Sequence, residues 1–224
     1  MIIKKLGHGA SSVVKLGQDA NTGEFFALKF LKNSIDKLIT TELEFFENMP
    51  AHQNILTFHG CKSGTYVKKY SGKESERTYF QLEFAMRGEL FDYLIGCGPF
   101  PEPIARFFFR EIISAIDHIH SNGISHRDIK PENIFIAGDY HVKVADFGFS
   151  IAITGRDGSG LLRTYKGTRP YMAPELAARM EYTGVAVDLF AAGIICFIMV
   201  TGRPPFMRAE PNNPHYMPII DGNW

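Results

Sequence analysis

The run His126-Arg127-Asp128-Ile129-Lys130-Pro131-Glu132-Asn133 concentrates three side chains that can do chemistry together. A carboxylate such as Asp128 orients an attacking hydroxyl and accepts its proton as the new bond forms. Lys130 brings an ammonium beside a group on which negative charge builds. Asn133, five residues after Asp128, offers a neutral oxygen of the kind that hard Mg2+ takes. The combination suits phosphoryl transfer to a hydroxyl, where positioning and charge neutralisation supply most of the catalysis.

Two segments near the start of the chain fit the same chemistry. Gly7-His8-Gly9-Ala10-Ser11-Ser12-Val13-Val14 reads as a glycine-bearing turn between strands, and glycine lets backbone N–H groups come close to phosphate oxygens. The same composition also suits an ordinary hairpin turn. In Ala27-Leu28-Lys29 the strand alternation sets Ala27 and Lys29 on one face and Leu28 on the other. A lysine there needs a counter-charge, and Glu42 and Glu44 on the following helix compete for it.

These groups need elements to position them. Ile2 to Leu16 reads as strand, turn and strand, and Glu24 to Leu31 as another strand entered through the turn Asn21-Thr22-Gly23. Ile35, Leu38, Ile39, Glu42, Phe45, Phe46 and Met49 follow helical spacing until Pro50. Ile55–Gly60 and Tyr79–Phe84 are strand-like, and Lys62 to Arg77 between them reads as a solvated basic loop or a docking patch. Beyond Phe84 the pattern turns helical. A short helix covers Glu89–Ile95. A long one runs over Glu102–Ser121, with a stripe of Ile104, Phe108, Phe109, Ile112, Ile116 and Ile119 and a stop at Asn122-Gly123. Short strands at Ile134–Ile136 and Val142–Val144 precede an apolar helix near Asp188–Val200, apolar all round and so expected in a core.

Composition removes some functions. Lys plus Arg equals Asp plus Glu at 24 each, so no global charge draws the chain to nucleic acid or to an anionic membrane. The longest apolar run, Leu189 to Val200, is shorter than the ~20 residues that span a bilayer. Cys61, Cys97 and Cys196 form no CxxC pair, which favours a reducing compartment, hence a cytoplasmic or nuclear location.

In their order the motifs resemble the eukaryotic Ser/Thr protein kinase catalytic domain, with a feel of its calcium/calmodulin-dependent and checkpoint-like groups. The resemblance covers the chain to Gly202-Arg-Pro-Pro-Phe206 and rests also on Asp146-Phe147-Gly148, thirteen residues after Asn133, and on Gly167-Thr168-Arg-Pro-Tyr-Met-Ala-Pro-Glu175. It implies an α+β, two-lobed fold: residues 1–84 form a small antiparallel-sheet lobe with one main helix, and 85–224 a mostly helical lobe lacking its last helices. It implies ATP and Mg2+, with Asn133 and Asp146 on the metal. Gly7, Gly9, Val14, Ala27, Lys29, Leu82, Glu83, Ala85, Glu89, Glu132, Asn133, Phe135 and Asp146 are the residues expected around the nucleotide.

Asp128, Lys130, Lys29, Glu42 and Thr168 form the implied catalytic set. Glu42 takes precedence over Glu44 because Phe46 and Met49 follow it at the family's spacing. Lys130 and Thr168 are the Ser/Thr-kinase forms. Glu89 and Glu132 match acids that receive Arg upstream of the acceptor, while a third such acid is replaced by Ile198. Thr164 matches the site at which an upstream kinase activates, and its phosphate would pair with Arg127. Asp188 is implied to hold the backbone around His126-Arg127-Asp128. Two departures are Ser12 for a third glycine and Phe190 for a tryptophan. The implied partners are protein substrates, with no nucleic acid or membrane, and the chain is expected to be a monomer. With Glu175 lacking the Arg that pairs with it in the family, apolar surface on the helical lobe is expected to stand uncovered. The alternative is a kinase-fold binding module that takes ATP with little transfer.

Overall fold

The computed structural model describes residues 1–9, 12–31, 37–67, 74–155 and 157–222. The chain divides into two compact units: Met1–Ala51 with Leu56–Ala85, and His52–Ile55 with Met86–Trp224. Residues 52–55, expected in the first lobe, belong to the second unit. The reason is visible at Ile55, which bridges Val144, and at Asn54, whose C=O accepts the Val144 N–H at 2.8 Å.

The first unit is a five-stranded antiparallel sheet of β1 (Ile2–His8), β2 (Ser12–Gln18), β3 (Phe25–Leu31), β4 (Phe58–Val67) and β5 (Glu74–Glu83), in the order β1-β2-β3-β5-β4, with helix α1 (Lys37–Asn48). The turn into β3 closes on Asp19, whose Oδ1 accepts the Asn21 N–H at 2.8 Å, while Gly23 takes φ +74°. Helix α1 stops before Pro50 as expected; Ile35 and the loop residues Ala10 and Ser11 lie outside the described residues.

The expected basic loop over Lys62–Arg77 is mostly sheet. β4 and β5 pair from Phe58↔Leu82 out to Val67↔Glu74, so only 68–73 remain between them. Lys62↔Tyr79 and Thr65↔Glu76 stand opposite each other; cross-strand pairing overrides a polar composition that by itself resembles a loop. At the other end, Ile55–Thr57, read as part of a strand, precedes β4 rather than joining it.

The second unit contains α2 (Leu90–Cys97), α3 (Glu102–Ser121), β6 (Ile124–Ser125), β7 (Ile134–Ile136), β8 (Val142–Val144), β9 (Ile151–Ala152), α4 (Pro174–Ala177), α5 (Gly184–Thr201) and α6 (Met217–Ile220). β7 pairs with β8 and β6 with β9, both antiparallel. α3 buries Ala105, Ile112, Ala115, Ile116 and Ile119. Ile104, counted in its apolar stripe, is exposed, because the buried face begins at its neighbour Ala105, a helical step of about 100° away. Asn122 caps the helix and Gly123 turns the chain at φ +73°.

α5 is longer than the apolar run suggests, and its burial is one-sided. Val187, Ala191, Ile194, Ile195, Ile198 and Met199 are buried, whereas Leu189, Phe197 and Val200 are exposed at helical spacing. By length and composition alone α5 would also suit a membrane span, but its buried Asp188 is hydrogen-bonded inside the unit. Beside α4, the side chains of Pro174, Ala177, Met180, Ala209, Tyr216 and Ile220 line an open groove of about 410 Å³.

Candidate active site

The first unit assembles the face that carries Lys29 by register. Val14 stands opposite Lys29, Leu16 opposite Ala27, and Ala27 opposite Leu82, so Val14, Ala27, Lys29 and Leu82 share one face of the sheet. Lys29 donates to Glu42 Oε1 at 2.6 Å, with both side chains buried. Glu44 is exposed, so the competition between the two glutamates goes to Glu42. α1 is seated by Phe46, which stacks on Phe58 at 4.7 Å and meets Phe80 edge-on.

The glycines of the first turn are not demanded by the fold. Neither Gly7 nor Gly9 has a positive φ, and a Cβ on Gly7 would meet no protein atom within 4 Å. What their missing side chains leave is room for something to approach the backbone. Ala85 closes the unit with the same openness. It is buried, yet neither its N–H nor its C=O is hydrogen-bonded among the described residues, although buried backbone groups nearly always find partners. Glu83 is fixed beside it. Its N–H donates to Thr57 C=O at 2.8 Å and its carboxylate accepts from the Thr57 hydroxyl at 2.9 Å.

The second unit gathers Asp128, Lys130, Asn133 and Thr168 into one hydrogen-bonded knot. Lys130 Nζ donates to Asp128 Oδ2 at 2.6 Å and to Thr168 Oγ1 at 2.9 Å, and the Thr168 hydroxyl donates to Asp128 Oδ1 at 2.8 Å. Asn133 Nδ2 donates to the Asp128 backbone oxygen at 2.9 Å and to Oδ2 at 3.0 Å. Both amide hydrogens are thereby spent, which leaves the amide oxygen as the acceptor of that side chain. Asp146 follows β8 with φ +65°, a left-handed conformation rare outside glycine. Amide and carboxylate oxygens of this kind form a hard donor set that suits Mg2+.

Beneath the knot, Asp188 of α5 is 1% exposed and accepts four hydrogen bonds: from Ser125 Oγ at 2.9 Å, His126 N at 2.8 Å, Arg127 N at 2.7 Å, and His120 Nε2 at 2.9 Å. Arg127 sits at φ +64°, and this carboxylate supports the strained turn. Gly184, one turn before Asp188, makes the approach possible, because a Cβ there would stand 2.4 Å from Ser125 Cβ. His126 is fully buried. Its Nε2 lies 3.0 Å from the Ala145 carbonyl while its Nδ1 accepts the Asp128 N–H at 3.3 Å, an arrangement that requires the Nε2–H tautomer. Phe147 meets its ring edge-on at 5.0 Å.

Arg127 is the residue that a phosphate on Thr164 is expected to meet. It has partners already, all of them neutral: the Phe149 carbonyl at 2.8 Å, Thr164 Oγ1 at 2.6 Å and the Tyr182 hydroxyl at 3.0 Å. Tyr182 donates in turn to the Thr164 carbonyl at 2.6 Å. Tyr182, His120 and Ser125 join these contacts without a signal in the sequence. They lie far from Arg127 and Asp188 in the chain or carry no motif of their own, and only burial marks them.

Glu89 pairs by a β-bridge with Phe135, which sets both beside Glu132. Burial, and then the charges of Asp92 and Glu132, push the Glu89 carboxyl up. Oε2 of Glu132 is buried without a hydrogen-bond partner among the described residues. Asp92 is a third acid of this group that the sequence reading did not include.

Compared with known proteins, residues 1–221 match the protein kinase domain model. The chain belongs to the protein kinase family. Among its relatives are CBL-interacting protein kinase 9 of Oryza sativa subsp. japonica, 34% identical over 93% of this chain and 44% of that protein, and the carbon catabolite-derepressing protein kinase of Candida tropicalis, 36% identical over 92% of this chain and 32% of that protein. A cAMP-dependent protein kinase catalytic subunit-like protein of Caenorhabditis elegans is 36% identical over 96% of this chain and 51% of its own length. The chain thus spans about half the length, or less, of the relatives it matches. As a protein kinase domain it carries the family's implication of ATP as substrate and Mg2+ as the usual ion.

Proposed function

We propose that the protein transfers the γ-phosphoryl group of ATP to Ser and Thr hydroxyls of protein substrates. The observation that carries this reading is the Thr168 hydroxyl bridging Asp128 and Lys130. It fixes the carboxylate that would take the acceptor's proton, and it leaves one of the three Lys130 N–H donors for the transferring phosphate. In the step itself the acceptor oxygen attacks the γ-phosphorus, the bond to the bridging oxygen breaks, ADP leaves, and the hydroxyl proton passes to Asp128. Gly7, Gly9, Lys29, Val14, Ala27 and Leu82 of the first unit would contact the nucleotide, and the backbone of Ala85, unpartnered among the described residues, would meet the adenine edge with that of Glu83. Asn133 and Asp146 would hold Mg2+, which when bound neutralises phosphate charge.

The acids Glu89, Asp92 and Glu132 support a preference for Arg upstream of the acceptor, at minus three, because a guanidinium would both neutralise them and give the buried Glu132 Oε2 a donor. Phosphate on Thr164, from an upstream kinase, would replace the neutral oxygens around Arg127 with a full counter-charge. Location in a reducing compartment, cytoplasmic or nuclear, and a monomeric state belong to the same reading.

The test begins with thermal unfolding with and without Mg-ATP, followed by phosphate transfer to an Arg-x-x-Ser peptide. Stabilisation together with transfer that is lost in Asp128→Asn is the expected result. Stabilisation without transfer would instead favour a nucleotide-binding module.

A further inference from the structure

We propose that His52 is a proton-operated latch: neutral, it closes the segment His52–Ile55 against β8, and protonated, it releases it. The inference stands on the fold and holds whether or not the kinase reading does.

His52–Ile55 is the stretch between α1 and β4 that belongs to the second unit. It forms a tight turn. His52 Nδ1 accepts the Asn54 N–H at 3.1 Å, and the His52 C=O accepts the Ile55 N–H at 3.1 Å. Asn54 then makes the attachment to β8. It is buried, its C=O accepts the Val144 N–H at 2.8 Å, and its Nδ2 donates to the Val142 C=O at 3.2 Å. A ring nitrogen that accepts a backbone N–H has no proton, so the single proton of neutral His52 sits on Nε2, 3.4 Å from Ser114 Oγ. A second proton goes to Nδ1 and sets N–H against N–H. The Asn54 amide loses its acceptor, and the turn that aims Asn54 at β8 loses its closure. Release frees the Val144 N–H and loosens the strand from which Asp146 follows.

The surroundings decide which form is present. His118 of α3 stacks on His52, with ring centroids 4.6 Å apart and planes 23° from parallel. Lys143 of β8 adds a cation, and Asp117 of α3 opposes both. Glu111 of α3 and His141 are engaged with each other at 2.5 Å, beside Gln53 rather than His52; His141 Nδ1 lies 3.2 Å from the Gln53 amide nitrogen. Burial first, then His118, then Lys143 hold His52 below its ordinary 6.5, while Asp117 raises it. The closed turn therefore takes the proton less readily than the open one. The contribution of the latch is whole above pH 6.5 and is lost as pH falls through the lowered value.

The experiment follows hydrogen exchange of the Asn54 and Val144 amides in the whole protein between pH 7.5 and 5.5, corrected for intrinsic rates. An open His52 at its ordinary 6.5 is about nine-tenths protonated at pH 5.5, which sets a ceiling of about tenfold on the rise in opening. The expected result is a loss of protection of about fivefold or more in wild type. His52→Asn keeps an acceptor oxygen where Nδ1 stands and takes no proton, so its protection should hold over the same range. Lys143→Gln should raise the midpoint of the loss, and Asp117→Asn should lower it. Neither change removes a hydrogen bond of the turn, so these two read the same titration even where His52→Asn fails to fold. Wild-type protection that changes less than about twofold overturns the proposal. So does an equal loss in His52→Asn, or midpoints that stay in place or move the opposite way in the two charge variants.

Discussion

The Asp188 carboxylate accepts the Arg127 N–H at 2.7 Å and is the anchor of a turn whose backbone stands at φ +64°. A left-handed residue other than glycine costs roughly 1–2 kcal/mol, so the anchor opposes a built-in tendency to relax. Asp188→Asn keeps the shape but removes the charge and substitutes an NH2 that two backbone donors would face. Stability should fall by about 2–3 kcal/mol in chemical denaturation, by loss of charge-assisted hydrogen bonds to a buried group. Peptide phosphorylation should fall further than the stability loss accounts for, because Asp128 follows Arg127 directly.

Lys29 and Glu42 form a buried pair at 2.6 Å, and removing Lys29 takes this counter-charge from a buried carboxylate. Lys29→Met should destabilise the protein by about 3 kcal/mol. The double variant Lys29→Met with Glu42→Gln should recover part of that stability without recovering transfer, since the pair proposed to act on ATP is gone in both. Denaturant titration of the two variants beside peptide kinetics checks this; equal stability of single and double variants would contradict it.

Thr168→Val replaces the hydroxyl between Asp128 and Lys130 with a methyl of the same volume. The expected loss is about a hundredfold in kcat, from misplacement of the carboxylate, with little change in the KM for ATP. Thr168→Ser keeps the hydroxyl and should retain most of the rate. A Val variant at full speed would remove Thr168 from the mechanism.

The Glu89 carboxyl is pushed up first by burial, and its ordinary value is 4.5. A raised carboxyl favours folding in its neutral form, so this contribution is complete below pH 4.5 and is lost as pH rises through the elevated value. Glu89→Gln should therefore gain stability relative to wild type at neutral pH and lose that advantage in acid. Arg recognition runs the other way, since only the ionised acid attracts a guanidinium. The KM for an Arg-x-x-Ser peptide should rise on acidification in wild type and rise less in Glu89→Gln.

The chemistry was legible because it is local. Asp128, Lys130 and Asn133 lie within six consecutive positions, and the strand alternation that sets Ala27 and Lys29 on one face follows from backbone geometry alone. The long helix Glu102–Ser121 and the strands Ile134–Ile136 and Val142–Val144 were equally plain from periodicity and from the Asn122-Gly123 stop.

What tertiary structure decided is long-range. Lys62–Arg77 has the composition of a loop and becomes sheet because each strand supplies the other's hydrogen bonds. Which face of α5 is buried was invisible in a helix apolar on every side, since burial depends on what packs against it. The 2.6 Å contact of Lys29 with Glu42 needed the sheet beside α1, and the neutral partners of Arg127 needed Tyr182, fifty-five residues away. Residue types and spacing name the reacting groups, but distances between groups far apart in the chain exist only once the core has closed around them.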